Sequence, residues 1–258
     1  MSMEAPAVVP AAAAAGRPAL SLVRQERSLG AEADLAFALE MLDAARAGRI
    51  GPTLRIYRPV PTVALGQRDA RLPGFAAAAA ACRDLGFEPL VRRAGGRAAA
   101  YHQGCLVVDH VEPDDDAVAG SRHRFTGFGD LFADALRRCG VPAAVGEIPG
   151  EYCPGEHSVH GTALDRRQVK LVGTAQRVVA GAWLFSSVIV VQDAAPLRTV
   201  LSAAYDALGL AWRPDTAGAA EDLAPGLDVD GVEAELLNGY AASRELVPAD
   251  FSGLAASL

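Results

Sequence analysis

Apolar positions recur at two different periods along this chain, and the switches between them mark out its elements. Residues 34–47 carry Leu35, Leu39, Leu42 and Ala45 at three- and four-residue steps, which predicts a helix with one apolar face. Gly48 is placed to end it, because glycine tolerates positive φ. Residues 53–57 alternate, with Leu54 and Ile56 on one side, and predict a strand. Pro59 and Pro61 break that run or hold it to an edge, and residues 62–65 begin a second strand. The Ala-rich run 75–85 predicts a helix, followed by strands over 87–91 and 104–111. Residues 112–124 are polar, contain Pro113 and read as a loop. Residues 128–139 predict a helix with Leu131, Ala135, Leu136 and Cys139 inward. A strand over 143–147 precedes a β-type run at 170–177 and a near-continuous apolar run at 182–191, the pattern of a strand covered on both faces. Residues 197–208 predict a helix, with Leu197, Leu201, Ala204 and Leu208 on one face, and 232–245 predict another. A short strand is also expected at 20–23.

Away from these elements the pattern thins. Residues 1–18 are Ala/Pro-rich and predict a disordered tail. Residues 215–226 read as a Gly/Ala/Pro linker. The division that follows is a tail at 1–18, a main domain at 19–212, and a linker with a small helical extension at 213–258.

Composition narrows the class. Of 258 residues, 51% are apolar and 21% charged, enough for a sizeable core. The net charge of −7 argues against a nucleic-acid partner, which needs a basic face. No apolar run approaches the ~20 residues that span a bilayer, and the N-terminus, with Glu4 and interrupting prolines, makes a poor signal peptide. A cytoplasmic location without membrane attachment is the expectation. Four cysteines, at 82, 105, 139 and 153, have no metal-type spacing, so no metal site is expected. Cys82 and Cys139 fall in helix patterns and Cys105 in a strand pattern, which reads them as packing residues. The acidic run Asp114, Asp115 and Asp116 reads as solvated.

Cys153 is different. It sits in Tyr152-Cys153-Pro154-Gly155, a Gly/Pro loop with no apolar periodicity around it. Seventeen residues later a lone Lys170 interrupts an apolar run, Lys170-Leu171-Val172-Gly173-Thr174-Ala175-Gln176. A buried lysine needs partners, and a thiol beside a cation is an activated nucleophile, so the pair points to acyl chemistry. Arg92-Arg93-Ala94-Gly95-Gly96-Arg97 supplies a facing wall, since paired glycines admit a ligand closely and arginines fork onto carboxylate or phosphate. Gln67-Arg68-Asp69 reads as an exposed turn, and His102 follows the arginine loop.

Three segments carry a family resemblance: Val63-Ala64-Leu65-Gly66-Gln67, Arg92 through Ala98, and Lys170 through Arg177. In this order they resemble the lipoate–protein ligase and octanoyltransferase superfamily, whose catalytic domain is shared with biotin–protein ligases. The resemblance runs over about 35–191. Tyr152-Cys153-Pro154-Gly155 resembles the nucleophile loop of the cysteine-dependent octanoyltransferases and amidotransferases. The spacing from Gly95 to Gly104 and Leu106 aligns with that branch without a gap. The ATP-using ligases carry a third glycine where this chain has Arg97.

The resemblance implies an α/β (α+β) domain with a mixed, mostly antiparallel sheet flanked by helices. It implies transfer of an octanoyl or lipoyl group to a lysine of a lipoyl-accepting domain, either a glycine cleavage H-like protein or a 2-oxoacid dehydrogenase E2. The acyl donor would be an acyl carrier protein or a lipoyl-domain amide. Cys153 would be the nucleophile and Lys170 the charge-stabilising cation. Arg93, Gly95, Gly96, Arg97, His102, Gly173 and Gln176 would shape the substrate site. The transferase needs no cofactor. The rival ligase would use ATP and Mg²⁺ to make an acyl-adenylate, with no thiol. A second rival is a relative that binds the acyl group without transferring it. Biotin ligation is a more distant expectation, as neither a DNA-binding module nor a biotin-loop pattern is evident.

Overall fold

The computed structural model describes residues 16–93 and 95–258. Most of the tail expected at 1–18, and Ala94 of the arginine loop, lie outside the described residues. The chain opens with β1 (Ala19–Gln25), α1 (Ala31–Arg46), β2 (Thr53–Tyr57), β3 (Thr62–Leu65), α2 (Phe75–Asp84), β4 (Glu88–Val91), β5 (Ala99–Tyr101) and β6 (Cys105–Asp114). It continues through α3 (Ser121–Arg138), β7 (Ala143–Val145), β8 (Val159–Thr162), β9 (Gln168–Val179), β10 (Gly181–Val190), α4 (Ala194–Leu208), α5 (Val229–Ala241), β11 (Glu245–Ala249) and α6 (Phe251–Ala256).

Eight strands form the main sheet in the order β11-β1-β2-β6-β10-β9-β8-β7. The β11–β1 and β1–β2 pairs are parallel and the others antiparallel. The sheet is mixed and mostly antiparallel, as expected. A second sheet, β4-β3-β5, lies beside it.

Strand alternation sends Leu54, Ile56, Leu106, Val108 and Phe185 into a core shared with Phe132 and Leu136 of α3 and Leu236 of α5. The opposite face is covered at one end by Phe37, Met41 and Leu42 of α1. The small sheet packs with α2 and α4 in a third cluster. Fully burying one such large side chain contributes ~1.5–3 kcal/mol, so each layer is held by many modest terms. The uncovered part of the α1-side face becomes the cavity described below.

Several expectations change. On α1, the buried side is Phe37, Ala38, Met41, Leu42, Ala44 and Ala45, whereas Leu35 and Leu39 are only half-buried. Both residues instead line the cavity. The stretch 112–124 is not a loop throughout: β6 runs to Asp114 and α3 starts at Ser121. Pro113 fits because β2 stops pairing at Val111, so only β10 faces it. The segment read as a linker has residues 216–220 buried, and Ala217 bridges to Lys170. The helix expected over 232–245 ends at Ala241, and β11 then joins the main sheet as an edge strand that tolerates Pro248. Among the described residues no helix is long and apolar enough to cross a membrane.

Candidate active site

Cys153 sits on the loop between β7 and β8 with φ of 42°, a left-handed conformation that a non-glycine residue rarely adopts. Its backbone is fixed from α4: Tyr205 Oη accepts from the Cys153 N–H at 2.7 Å and donates to the Ala98 carbonyl at 3.0 Å. Burial raises Tyr205 well above its ordinary value, so the hydroxyl keeps its proton. One phenol therefore ties the Cys153 loop to the end of the arginine loop.

The sulfur is met by two donors. Arg92 Nη2 lies 3.2 Å from Sγ and the Arg97 N–H 3.3 Å away. Both are contacts that an anionic sulfur accepts better than a neutral one. Arg92 Nη2 also donates to the Arg97 carbonyl at 2.7 Å, which closes the loop on itself. Gly96 is required here twice over. Its φ is +106°, and a Cβ would come within 2.8 Å of Sγ and also strike the Arg92 guanidinium. Gly95 has no such neighbour.

Lys170 is 2% exposed on β9. Nζ donates to Glu151 Oε1 at 3.1 Å, to the Tyr152 carbonyl at 3.1 Å and to the Cys153 carbonyl at 2.6 Å. An ammonium has three protons, and all three are engaged. The expected pairing of Lys170 with the thiol is therefore corrected: the cation at sulfur is Arg92, and Lys170 holds the loop's carbonyls. Glu151, whose side chain is fully buried, is the residue that sequence reading missed. It accepts from Lys170, from Ser158 Oγ at 2.6 Å and from the Gly155 N–H at 3.1 Å. A signal existed, since a lysine in an apolar run needs a buried acid and Glu151 lies two residues before the thiol.

These groups open on a cavity of about 840 Å³, lined by Cys153, Lys170, Arg93, Gly95, Gly96, Gly173 and Gln176 among others. Arg93 is exposed at the rim, and its carbonyl accepts from Arg177 at 3.4 Å. Gly173 faces Lys170, whose Cε would lie 3.8 Å from an added Cβ. Gln176 is held by α3, accepting from Arg124 Nε and donating to Ser121 Oγ at 2.6 Å.

Two predicted site residues lie off the cavity. Arg97 gives its backbone N–H to sulfur, but its guanidinium turns away to Asp69 at 2.9 Å. Asp69 is buried rather than exposed and also accepts from the Gly66 N–H. His102 is structural: Nδ1 accepts from the Gly104 N–H, and Nε2 lies 2.9 Å from the Asp193 carbonyl. Of the two histidines near the thiol in sequence, His157 lines the cavity and stacks on Phe125. His160 faces the Gly146 carbonyl and Gln168. Burial raises the thiol of Cys82 to about 11 and that of Cys105 to about 12, consistent with packing roles.

Fold and site together define an α/β scaffold that presents a thiol, a buried ammonium and a cavity at one sheet face. Residues 31–213 match the model of the lipoyl protein ligase A/B catalytic domain, and the chain belongs to that family. It is 28% identical over 182 residues to an octanoyl-[GcvH]:protein N-octanoyltransferase of Geobacillus kaustophilus, covering 69% of this chain and 62% of that protein. It is 31% identical over 137 residues to a lipoyl-[GcvH]:protein N-lipoyltransferase of Listeria monocytogenes, covering 51% of this chain and 46% of that one. The aligned region is thus less than two thirds of either relative's length. Among solved structures it resembles protein Ta0514 of T. acidophilum, solved with bound lipoic acid. The TM-score is 0.65 at 19% identity, over 93% of this chain and 94% of that one, a likeness of fold.

Proposed function

We propose that this chain transfers an octanoyl or lipoyl group to a lysine of a lipoyl-accepting domain through a thioester on Cys153. Sγ attacks the acyl carbonyl of the donor. The donor's thiol or amine leaves with a proton, and the acyl group remains on sulfur. The amine of the acceptor lysine then attacks the thioester, loses a proton and releases the cysteine thiol. Arg92 and the Arg97 N–H support negative charge on sulfur before attack and as it leaves. Lys170 keeps the loop carbonyls of Tyr152 and Cys153 in place, and it stabilises the developing oxyanion by exchanging one of those bonds.

The observation that carries this reading is the pair of donors aimed at the Sγ of Cys153, a residue that lines the cavity. It also favours transfer over ATP-dependent ligation. The Arg97 N–H is engaged by the Cys153 sulfur, and the Arg97 side chain is bound to Asp69, so neither is free for a phosphate. The residues at this loop therefore fit a thiol better than an adenylate. The names of the relatives support a glycine cleavage H-type domain as one substrate. A 2-oxoacid dehydrogenase E2 domain is the natural second, with an acyl carrier protein or an octanoylated H-type domain as donor.

The test is modification of an apo lipoyl domain, followed by mass, using an octanoylated H-type protein as donor without ATP. Modification that Cys153→Ser abolishes supports the transferase. Modification only with free lipoate and ATP, indifferent to Cys153→Ser, would establish the ligase.

A further inference from the structure

The chain is almost without side-chain amines. Of its 24 lysines and arginines together, Lys170 is the one lysine. It is 2% exposed, and its three ammonium protons go to Glu151, the Tyr152 carbonyl and the Cys153 carbonyl. An ammonium held in this way has no lone pair with which to attack. The other cations that line the cavity, Arg92 and Arg93, are guanidiniums.

The choice of arginine matters most at position 92. Its Nη2 lies 3.2 Å from Sγ of Cys153, and a Cβ on Gly96 would strike that same nitrogen and that same sulfur. A thioester on Cys153 has its carbonyl carbon bonded directly to this sulfur. A nucleophile attacks from ~3–3.5 Å, so the group at 92 borders the acyl carbon. A guanidinium is not deprotonated in proteins and is no nucleophile there. A lysine ends about where the guanidinium carbon stands, one bond short of Nη2. It would bring charge, but also an amine, the group by which the acceptor takes the acyl chain. Acylation removes the negative charge from sulfur, and with it the partner that would keep such an amine protonated.

We propose that Arg92 determines the selectivity of the transfer: it holds positive charge at the thiol without offering an amine, so the acyl group passes to the partner's lysine and not to the chain itself. The inference rests on the reading of a Cys153 thioester and concerns which amines that thioester meets.

The test loads the full chain from an octanoyl donor, with neither ATP nor acceptor, and reads intact mass before and after hydroxylamine, which cleaves thioesters and spares amides. Wild type is expected to lose its octanoyl group. Arg92→Lys is expected to keep most of it, as an amide that peptide mapping places at residue 92. The amine's proton then leaves on the cysteine thiol. Arg138→Lys, at an exposed pair with Glu235 where α3 meets α5, is expected to behave as wild type. An Arg92→Lys adduct that hydroxylamine removes as fully as in wild type, or an equal amide in Arg138→Lys, overturns the proposal. Arg92→Ala gives a second reading. Methylamine is expected to clear its thioester about tenfold faster than the wild-type one, because an amine can then approach the acyl carbon; equal rates overturn the proposal too. So does failure of both Arg92 variants to load while wild type loads, which would make Arg92 a residue of loading alone. Failure of the wild type itself to load would sink the transferase reading, and this inference with it.

Discussion

Lys170 Nζ donates to the backbone carbonyl of Cys153 at 2.6 Å, while the sulfur of the same residue is met by Arg92 and the Arg97 N–H. The cation that positions the loop and the cation that faces the thiol are different residues. Substitutions at the two should therefore fail in different ways.

Arg92→Ala is expected to slow acylation of Cys153 by about 100-fold, the usual loss when one donor to a reacting atom is removed. Arg92→Lys should recover part of it, because a point charge replaces the fork. Stopped-flow alkylation of the thiol, read beside acylation, should show the same order. An Arg92→Ala protein that acylates at the wild-type rate would remove Arg92 from the chemistry.

Glu151 and Lys170 form a buried pair whose partners cannot be removed singly without leaving a stranded charge. Glu151→Ala is expected to destabilise the fold by about 3–5 kcal/mol. Glu151→Gln should cost less, since it keeps acceptors for Ser158 and Lys170. The double change Glu151→Gln with Lys170→Met should cost less than the sum of the singles, as coupled sites do. Urea unfolding of the wild type, Glu151→Ala, Glu151→Gln, Lys170→Met and the double variant checks this.

Gly95 and Gly96 are adjacent but not equivalent. Gly96→Ala should abolish acylation, because its Cβ intrudes on Sγ and on Arg92 and its φ is positive. Gly95→Ala meets nothing within 4 Å and should retain folding and acylation within a few-fold. Loss in both, or in neither, would contradict the loop geometry.

Cys153 should separate from the two buried thiols by reactivity. Cys82 and Cys105 are buried, with their thiols raised to about 11 and 12. Iodoacetamide at pH 8 is expected to modify Cys153 first and to leave those two unmodified until the chain unfolds. Peptide mass mapping over time reads the order.

His110 gives the stability a pH dependence. Burial, offset in part by Glu112, lowers it below its ordinary 6.5, so it stays neutral in the fold. The unfolded chain then binds the extra proton. The stability from a neutral His110 is full above about pH 6.5 and is lost as pH falls through 6.5 toward the lower folded value. His110→Phe should flatten the change in unfolding free energy between pH 7 and 5, and an unchanged slope would contradict this assignment.

Much of this was legible in the sequence because local patterns agree with the fold. The helix that Gly48 ends, the strands at 53–57 and 62–65, and the buried run of β10 follow from periodicity and glycine placement. The illegible parts depend on distant partners. The first turns of α3, over Ser121 and Arg124, are polar and are anchored by Gln176 on β9. β11 contains Pro248 and forms only because β1 offers it an edge. At the site, Cys153 and Lys170 stood out by their unusual surroundings. Arg92 did not stand out from Arg93 and Arg97, because only the folded loop decides which arginine faces sulfur. Glu151 was hidden among ordinary surface-type acids until its burial was seen.

The most direct measurement is the intact mass of the protein after mixing with an octanoylated carrier protein in the absence of ATP. The expected result is one added octanoyl group that hydroxylamine removes and that Cys153→Ser prevents. An unmodified protein across several octanoyl donors, with a lipoyl domain modified only when free lipoate and ATP are supplied, would contradict the thioester account.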